Sequence, residues 1–194
     1  MTSVEREIEL RLVSRLKEGD GAAFEAIYDA FRPRLFSFLV RLSRRRDVAE
    51  DLIEETWLRL VAHASSLRDD TRLGPWLFTV ARNLHASWRR SRALEAERVG
   101  EVVPSWPEAT RRESPFDAAA RSESERRLEE ALARLPLRDR EVLLLVGGEG
   151  LTPGAAAAVC GVTPVTLRKR LQRARERLAA EMAERGEPVR AKTG

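Results

Sequence analysis

Between Arg168 and Arg177 the chain places six cations, Arg168, Lys169, Arg170, Arg173, Arg175 and Arg177, against the single acid Glu176. Cations at that density suit phosphate oxygens, and the guanidinium fork also matches guanine edges bidentately. Taken alone, such a run is equally a solvated helix face, so its setting has to decide. A second grouping is acidic. Glu50, Asp51, Glu54 and Glu55 form i,i+4 acidic pairs on the face opposite Ile53 and Trp57, which taken alone is most commonly a solvated helix face. A third grouping, Trp76, Arg82, Asn83, Trp88, Arg89 and Arg90, mixes rings, cations and an amide. That mixture binds single-stranded nucleic acid: bases stack on rings, cations hold phosphates, and the amide reads a base edge. Within it Trp76 reads better as core and scaffold, and Asn83 with the arginines as the DNA contacts.

No catalytic residue is expected. The sequence has no Gly-rich phosphate loop and no histidine beside a nucleophile. With His63 and His85 as its only histidines and Cys160 as its only cysteine, it offers no metal-ligand cluster and no intrachain disulfide. No metal and no cofactor is therefore expected. Cys160 reads as the filler of a small apolar slot.

The elements that must position these groups read as helices throughout. The chain has 194 residues, 43% hydrophobic and 34% charged, with 11 Gly and 9 Pro, enough for one medium or two small globular domains. The apolar run Val142–Val146 is far short of the ~20 residues that span a bilayer. The first residues carry acids and no apolar core, so no secretory signal is read and the cytoplasm is the expected compartment. No segment alternates like a strand. Ile8, Leu12 and Leu16 mark a first helix ended by Gly19, and Asp20 caps a second running through Phe24, Ile27, Tyr28 and Phe31. Pro33 predicts a break or kink before Leu35, Phe36, Leu39 and Val40. A third helix starts at Asp47, with Ile53, Trp57, Leu60 and Val61 as its stripe. Residues 65–74 read as a loop, and Pro75 as the first position of a fourth helix through Trp76, Val80, Leu84 and Trp88.

Charge divides the chain as the helices do. Residues 1–94 carry 17 basic and 14 acidic side chains, residues 95–123 carry 4 and 7, and residues 124–194 carry 14 and 10. The middle stretch has Pro104, Pro107 and Pro115 and no periodicity, so it reads as a flexible linker. Helical pattern returns at Leu128, Leu132 and Leu135, stops at Pro136, and resumes from Arg138 to Val146. The strongest local signal follows. Thr152-Pro153 and Thr163-Pro164 are each an N-cap followed by a first helical position, and Gly161 sits between them where a tight turn wants a positive φ. This is a helix-turn-helix or an ordinary αα-hairpin. The cations all lie on its second helix and extension, which favours nucleic acid.

In this arrangement the chain resembles a bacterial sigma factor of the extracytoplasmic-function type. Four stretches in order carry the likeness: Glu18–Phe24, Asp47–Trp57, Pro75–Leu84 with Trp88-Arg89-Arg90, and Leu135–Glu141 with Leu151–Arg175. The resemblance implies an all-α fold of two small helical domains, the sigma second domain over 1–94 and the fourth over 124–186. It also implies a linker over 95–123 in the polymerase cleft and a disordered tail over 187–194. It implies that Glu50, Asp51, Glu54 and Glu55 dock on the beta-prime clamp helices of core RNA polymerase, and that the fourth domain meets the beta flap. Trp76, Arg82, Asn83, Trp88, Arg89 and Arg90 would recognise and open the minus-ten element. Thr163, Thr166, Arg168, Lys169 and Arg170 would read the minus-thirty-five element, with Arg173 and Arg175 holding phosphates. A separate anti-sigma protein is the further expected partner. The sequence departs from the family's usual pattern at Glu54, Ser87, Ala155, Ala156 and Val165. The competing reading is a helix-turn-helix operator-binding regulator, but duplex binding needs neither the acidic nor the aromatic-basic helix.

Overall fold

The computed structural model describes residues 3–99 and 122–184, and every regular element in them is helical. The first half comprises α1 (Ser3–Lys17), α2 (Gly21–Ser43), α3 (Arg46–His63) and α4 (Leu73–Val99), with a 3₁₀ turn at Ala64–Ser66. The second comprises α5 (Glu123–Arg134), α6 (Leu137–Leu143, prolonged by a π-helical turn, Leu144–Gly148), α7 (Pro153–Cys160) and α8 (Pro164–Glu184). The all-α expectation holds.

Local chemistry sets most boundaries. Gly19 takes φ +82°, and the Asp20 carboxylate accepts from the amides of Ala22 at 2.9 Å and Ala23 at 3.4 Å, opening α2. Ser122 and Glu125 form a reciprocal capping box at the start of α5. The start of α4 is capped from afar, because Glu9 of α1 accepts the Leu73 amide at 2.7 Å. Arg6 of α1 also donates to the carbonyls of Asp70 and Thr71. Thus α1 fastens the loop that leads into α4.

Packing alters four expectations. α2 runs unbroken through Pro33, because Ile27 on one side and Leu35, Phe38, Leu39 and Leu42 on the other bury one continuous face. That burial offsets the roughly 3 kcal/mol an interior proline costs. On α1 the buried residues are Val13 and Leu16, while Ile8 is exposed. On α3 Val61 is exposed and leaves the stripe of Ile53, Trp57 and Leu60. The fourth helix begins at Leu73 and continues to Val99, so residues 95–99 are helical, as is Glu123. Residues 100–121 and the tail from 187 lie outside the described residues.

Within the first half Phe38 of α2 meets Phe78 of α4 edge to face, centroids 5.3 Å apart, and both are fully buried. Phe24 and Tyr28 close on Trp57 of α3 at 6.2 and 4.9 Å. The second half packs α8 on α6 and α7 through Leu167, Leu171 and Ala174. The halves then meet: α7 lies on α4, α2 touches α6 and its π turn, and the buried apolar residues of both form one continuous cluster.

At the centre of that meeting is Arg140 of α6, a buried cation. Its guanidinium donates to the carbonyls of Leu132, Ala133 and Leu135 at 2.9, 2.7 and 3.1 Å, closing the C-terminal end of α5. It also reaches Arg41 and Leu42 at the end of α2, both at 3.4 Å. A cation is the right group for a helix C-terminus, where carbonyls are left over and the dipole is negative. Burial, with Arg44 and Arg89 nearby, lowers its pKa to about 10, which leaves it charged at neutral pH. Arg140→Met keeps the bulk and removes every donor. It is expected to cost on the order of 3 kcal/mol in urea denaturation, through the stranded carbonyls.

Candidate nucleic-acid interface

The turn between α7 and α8 is built as its residues require. The Thr152 hydroxyl accepts the Ala155 amide at 3.2 Å. Gly161 takes φ +65°, and the amides of Gly161 and Val162 return to the carbonyls of Ala158 and Ala157 at 3.1 and 3.0 Å. Ala156 and Ala157 are fully buried. The expected helix-turn-helix is present. On α8, Leu167, Leu171 and Ala174 face the core, which leaves Arg168, Lys169, Arg173 and Arg175 on the open surface. Val165 joins them, 56% exposed.

Thr163 and Arg170 of the expected set, and Arg177 from the wider cationic run, are not simply displayed to solvent. Thr163 is the cap of α8: its hydroxyl accepts the Thr166 amide at 3.2 Å and lies 2.9 Å from the Thr166 hydroxyl. Arg170 is half-buried on the inner edge of the helix. Arg177 pairs with Asp139 of α6 and so ties α8 down.

On α4, Asn83, Arg89 and Arg90 are exposed, and Trp76, Arg82 and Trp88 are half-buried. Trp88 stacks on His85 with centroids 6.0 Å apart. The Arg82 guanidinium is held by the buried carboxylate of Glu141, 2.9 Å away on α6 of the other half. A cleft of about 620 Å³ follows this seam, bordered by Arg82, His85, Arg89, Arg90, Arg138 and Glu141 among others. Cys160 lies next to Glu141, and burial pushes its thiol up to about 12, so it is an inert filler at neutral pH.

The acidic face on α3 sorts into two kinds of residue. Glu50 pairs with Arg46 and Glu55 with Arg59, each at 2.8 Å one turn away. Asp51 and Glu54 are exposed and have no ion-pair partner among the described residues. The same face continues to Leu58 and Val61, 64% and 58% exposed. Spacings of three, four and three residues keep all four side chains on one stripe.

Sequence reasoning did not single out His85, Arg140, Glu141 or Glu149. Each is polar and buried or half-buried where two elements cross, and hydrophobic periodicity carries no signal for that. The nearest hint was the Arg138-Asp139-Arg140-Glu141 run in a short helix between apolar segments, charges with no solvent face wide enough to hold them.

His85 is 3% exposed in the seam, and burial, then Arg89, Arg140 and Arg82, lower its pKa from 6.5 to about 4. The native state therefore keeps the ring neutral where the unfolded chain binds a proton. Between pH 6.5 and 4 the unfolded state holds more protons, so stability rises with pH across that window and falls on acidification. The shift corresponds to up to about 3 kcal/mol. His85→Gln is expected to flatten this part of a stability-versus-pH curve measured by urea denaturation, and an unchanged slope contradicts the assignment.

Comparison with known proteins gives the arrangement its family. Residues 27–95 match the model for Sigma-70 region 2, and residues 125–178 the model for Sigma-70, region 4. The ECF RNA polymerase sigma factor EcfG of Rhodopseudomonas palustris is 38% identical over 148 residues, 76% of this chain and 78% of that protein. The ECF RNA polymerase sigma factor SigC of Mycobacterium tuberculosis is 32% identical over 84% of this chain and 85% of its own length. Among solved structures, the sigma factor RpoE of Bartonella quintana, in complex with the anti-sigma factor NepR, superposes with a TM-score of 0.69 at 30% identity. It covers 82% of this chain and 96% of that one. CnrH, in complex with the cytosolic domain of CnrY, shares the fold at a TM-score of 0.67 and 20% identity. Two sigma regions in order, and relatives aligned over most of their own length, show that this chain belongs to the extracytoplasmic-function family of RNA polymerase sigma factors.

Proposed function

We propose that this sigma factor directs promoter-specific initiation through three surfaces, each assigned to residues by its chemistry. The stripe on α3 docks on core RNA polymerase at the beta-prime clamp helices, with Asp51 and Glu54 as its charged centre and Leu58 and Val61 as its apolar flank. This stripe carries the reading. Its support is contiguity: two unpaired carboxylates and two exposed large aliphatics share one stripe, the mixture of apolar centre and charged rim that protein interfaces use. It also separates the sigma reading from an operator-binding regulator, which has no use for such a face.

On α8, Arg168 and Lys169 with Thr166 are the readers of the minus-thirty-five element, and Arg173 and Arg175 hold its phosphates. The C-terminal part of α4, with Asn83, Arg82, Trp88, Arg89 and Arg90, takes the opened minus-ten strand. Bases leaving the stack meet the Trp88 ring, and the arginines compensate the backbone charge. Trp76 supports that helix from its half-buried position. The polymerase supplies the chemistry of RNA synthesis, and this chain contributes recognition, so it works where the polymerase does, in the cytoplasm. No helix among the described residues is long and apolar enough to cross a membrane. The complex of the relative RpoE with the anti-sigma factor NepR supports a separate anti-sigma protein as the restraining partner.

Run-off transcription with purified core polymerase on genomic promoter fragments tests the whole. Specific transcripts are expected with the native chain, and Asp51→Lys with Glu54→Lys is expected to lower affinity for core at least tenfold, about 1.4 kcal/mol. A shift of duplex DNA without binding to core overturns the reading in favour of the regulator. At the minus-thirty-five element, Arg173→Ala is expected to weaken binding uniformly across sequences and lower the salt slope by about one. Lys169→Ala is expected to cost about 1–3 kcal/mol only on sequences carrying its base. Competition binding over a salt series distinguishes the two.

A further inference from the structure

The side chains in the first turn of α8 are mostly committed to one another. The Thr163 and Thr166 hydroxyls lie 2.9 Å apart, and the Nε of Arg168 donates back to the Pro164 carbonyl at 3.3 Å. Val165 has no such task. It is 56% exposed and takes no part in the apolar cluster that holds the described residues together. Leu167, Leu171 and Ala174 form the buried stripe of α8. At 100° per residue Val165 points about 150° away from the middle of that stripe, with Thr166 to one side and Arg168 to the other. Lys169 follows one turn later on the same outward line. A lone exposed valine is ordinary on a protein surface. This one stands at the centre of the face bordered by exposed cations, at the N-terminal end, which is the part of a recognition helix that meets base edges. We propose that Val165 reads a thymine in the minus-thirty-five element, by seating its γ-methyl groups against the thymine 5-methyl group in the major groove.

The chemistry of the groove selects that partner. A valine side chain neither donates nor accepts a hydrogen bond, so it distinguishes bases only through apolar surface. The thymine methyl is the one apolar group that the four bases display on their major-groove edges. Branching at Cβ leaves valine one strongly preferred χ1 in a helix, so its methyls are already placed and little rotamer freedom is lost on contact. Lys169 lies about 6 Å further along the helix axis, and successive base pairs are about 3.4 Å apart. The thymine therefore falls within about two base-pair steps of the base that Lys169 reads. The inference rests on the minus-thirty-five role given to α8, and adds to it a base type and the contact that reads it.

Core RNA polymerase carrying the full chain selects minus-thirty-five elements from a promoter pool randomised over that region. The native chain is expected to enrich thymine at one position, on either strand. Replacing that thymine by deoxyuridine removes the methyl and keeps every hydrogen-bonding group. It is expected to weaken promoter binding about fourfold, the worth of one methyl group withdrawn from water. Val165→Ser ends the side chain in a hydroxyl and leaves the core untouched. It is expected to bring the thymine-to-uracil affinity ratio to about one and to keep the salt slope, because no charge is altered. No enriched thymine, no uracil penalty, or a penalty that persists in Val165→Ser overturns the inference. Lys169→Ala locates such a failure. If it changes the selected element and Val165→Ser does not, the failure is confined to the valine. If neither changes it, or nothing is selected, the failure extends to the role of α8.

Discussion

The fold depends first on the demand of one buried cation for acceptors. Arg140 can be taken out of water only if its donors are met, and they are met by the leftover carbonyls at two helix ends, α5 in its own half and α2 in the other. Satisfying it fixes the direction of α6. On a helix, successive residues point about 100° apart, so the neighbours of Arg140 are aimed at different elements. Asp139 meets Arg177 on α8, and Glu141 meets Arg82 on α4. Three consecutive charged side chains in one short helix thus connect to α2, α4, α5 and α8. Each would be costly to bury alone, and together they permit one packing.

The same arrangement sorts the chain's many arginines into two populations. Some are structural: Arg140 closes helix ends, Arg177 ties α8 to α6, and Arg34 and Arg41 bridge the halves. Others are displayed: Arg168, Arg173 and Arg175 on α8, and Arg89 and Arg90 on α4, lie open to solvent. Arg82 belongs to both. Its chemistry suits phosphate, and its position gives it to Glu141, so its availability depends on how the halves are placed. The basic run of α8 is therefore meaningful by its location on the outer face of the turn rather than by its charge total.

Much of this was legible beforehand. Thr152-Pro153 and Gly161 specify a capped helix and a left-handed turn by local sterics and one hydrogen bond, and the structure shows both. The helices carrying the three chemical groupings were legible from 3.6-residue periodicity. Other readings failed where packing outweighed a local rule. Pro33 reads as a break, but the shared buried face of α2 holds the helix together. Pro75 reads as a first position, but Glu9, 64 residues earlier, caps the helix at Leu73 instead.

By itself the sequence determined the helical class, the order of the elements, the helix-turn-helix and the three groupings of acid, aromatic and base. All follow from periodicity, caps and residue chemistry acting within a few residues. Only the tertiary structure decided which members of those groupings are open and which are held. Asp51 and Glu54 are bare beside Leu58 and Val61, while Glu50 and Glu55 are paired; Arg82 is taken by Glu141; His85 is neutral in a seam. These outcomes depend on desolvation and on partners tens of residues away. No local pattern encodes them, because burial is a property of the assembled surfaces and not of the stretch that carries the charge.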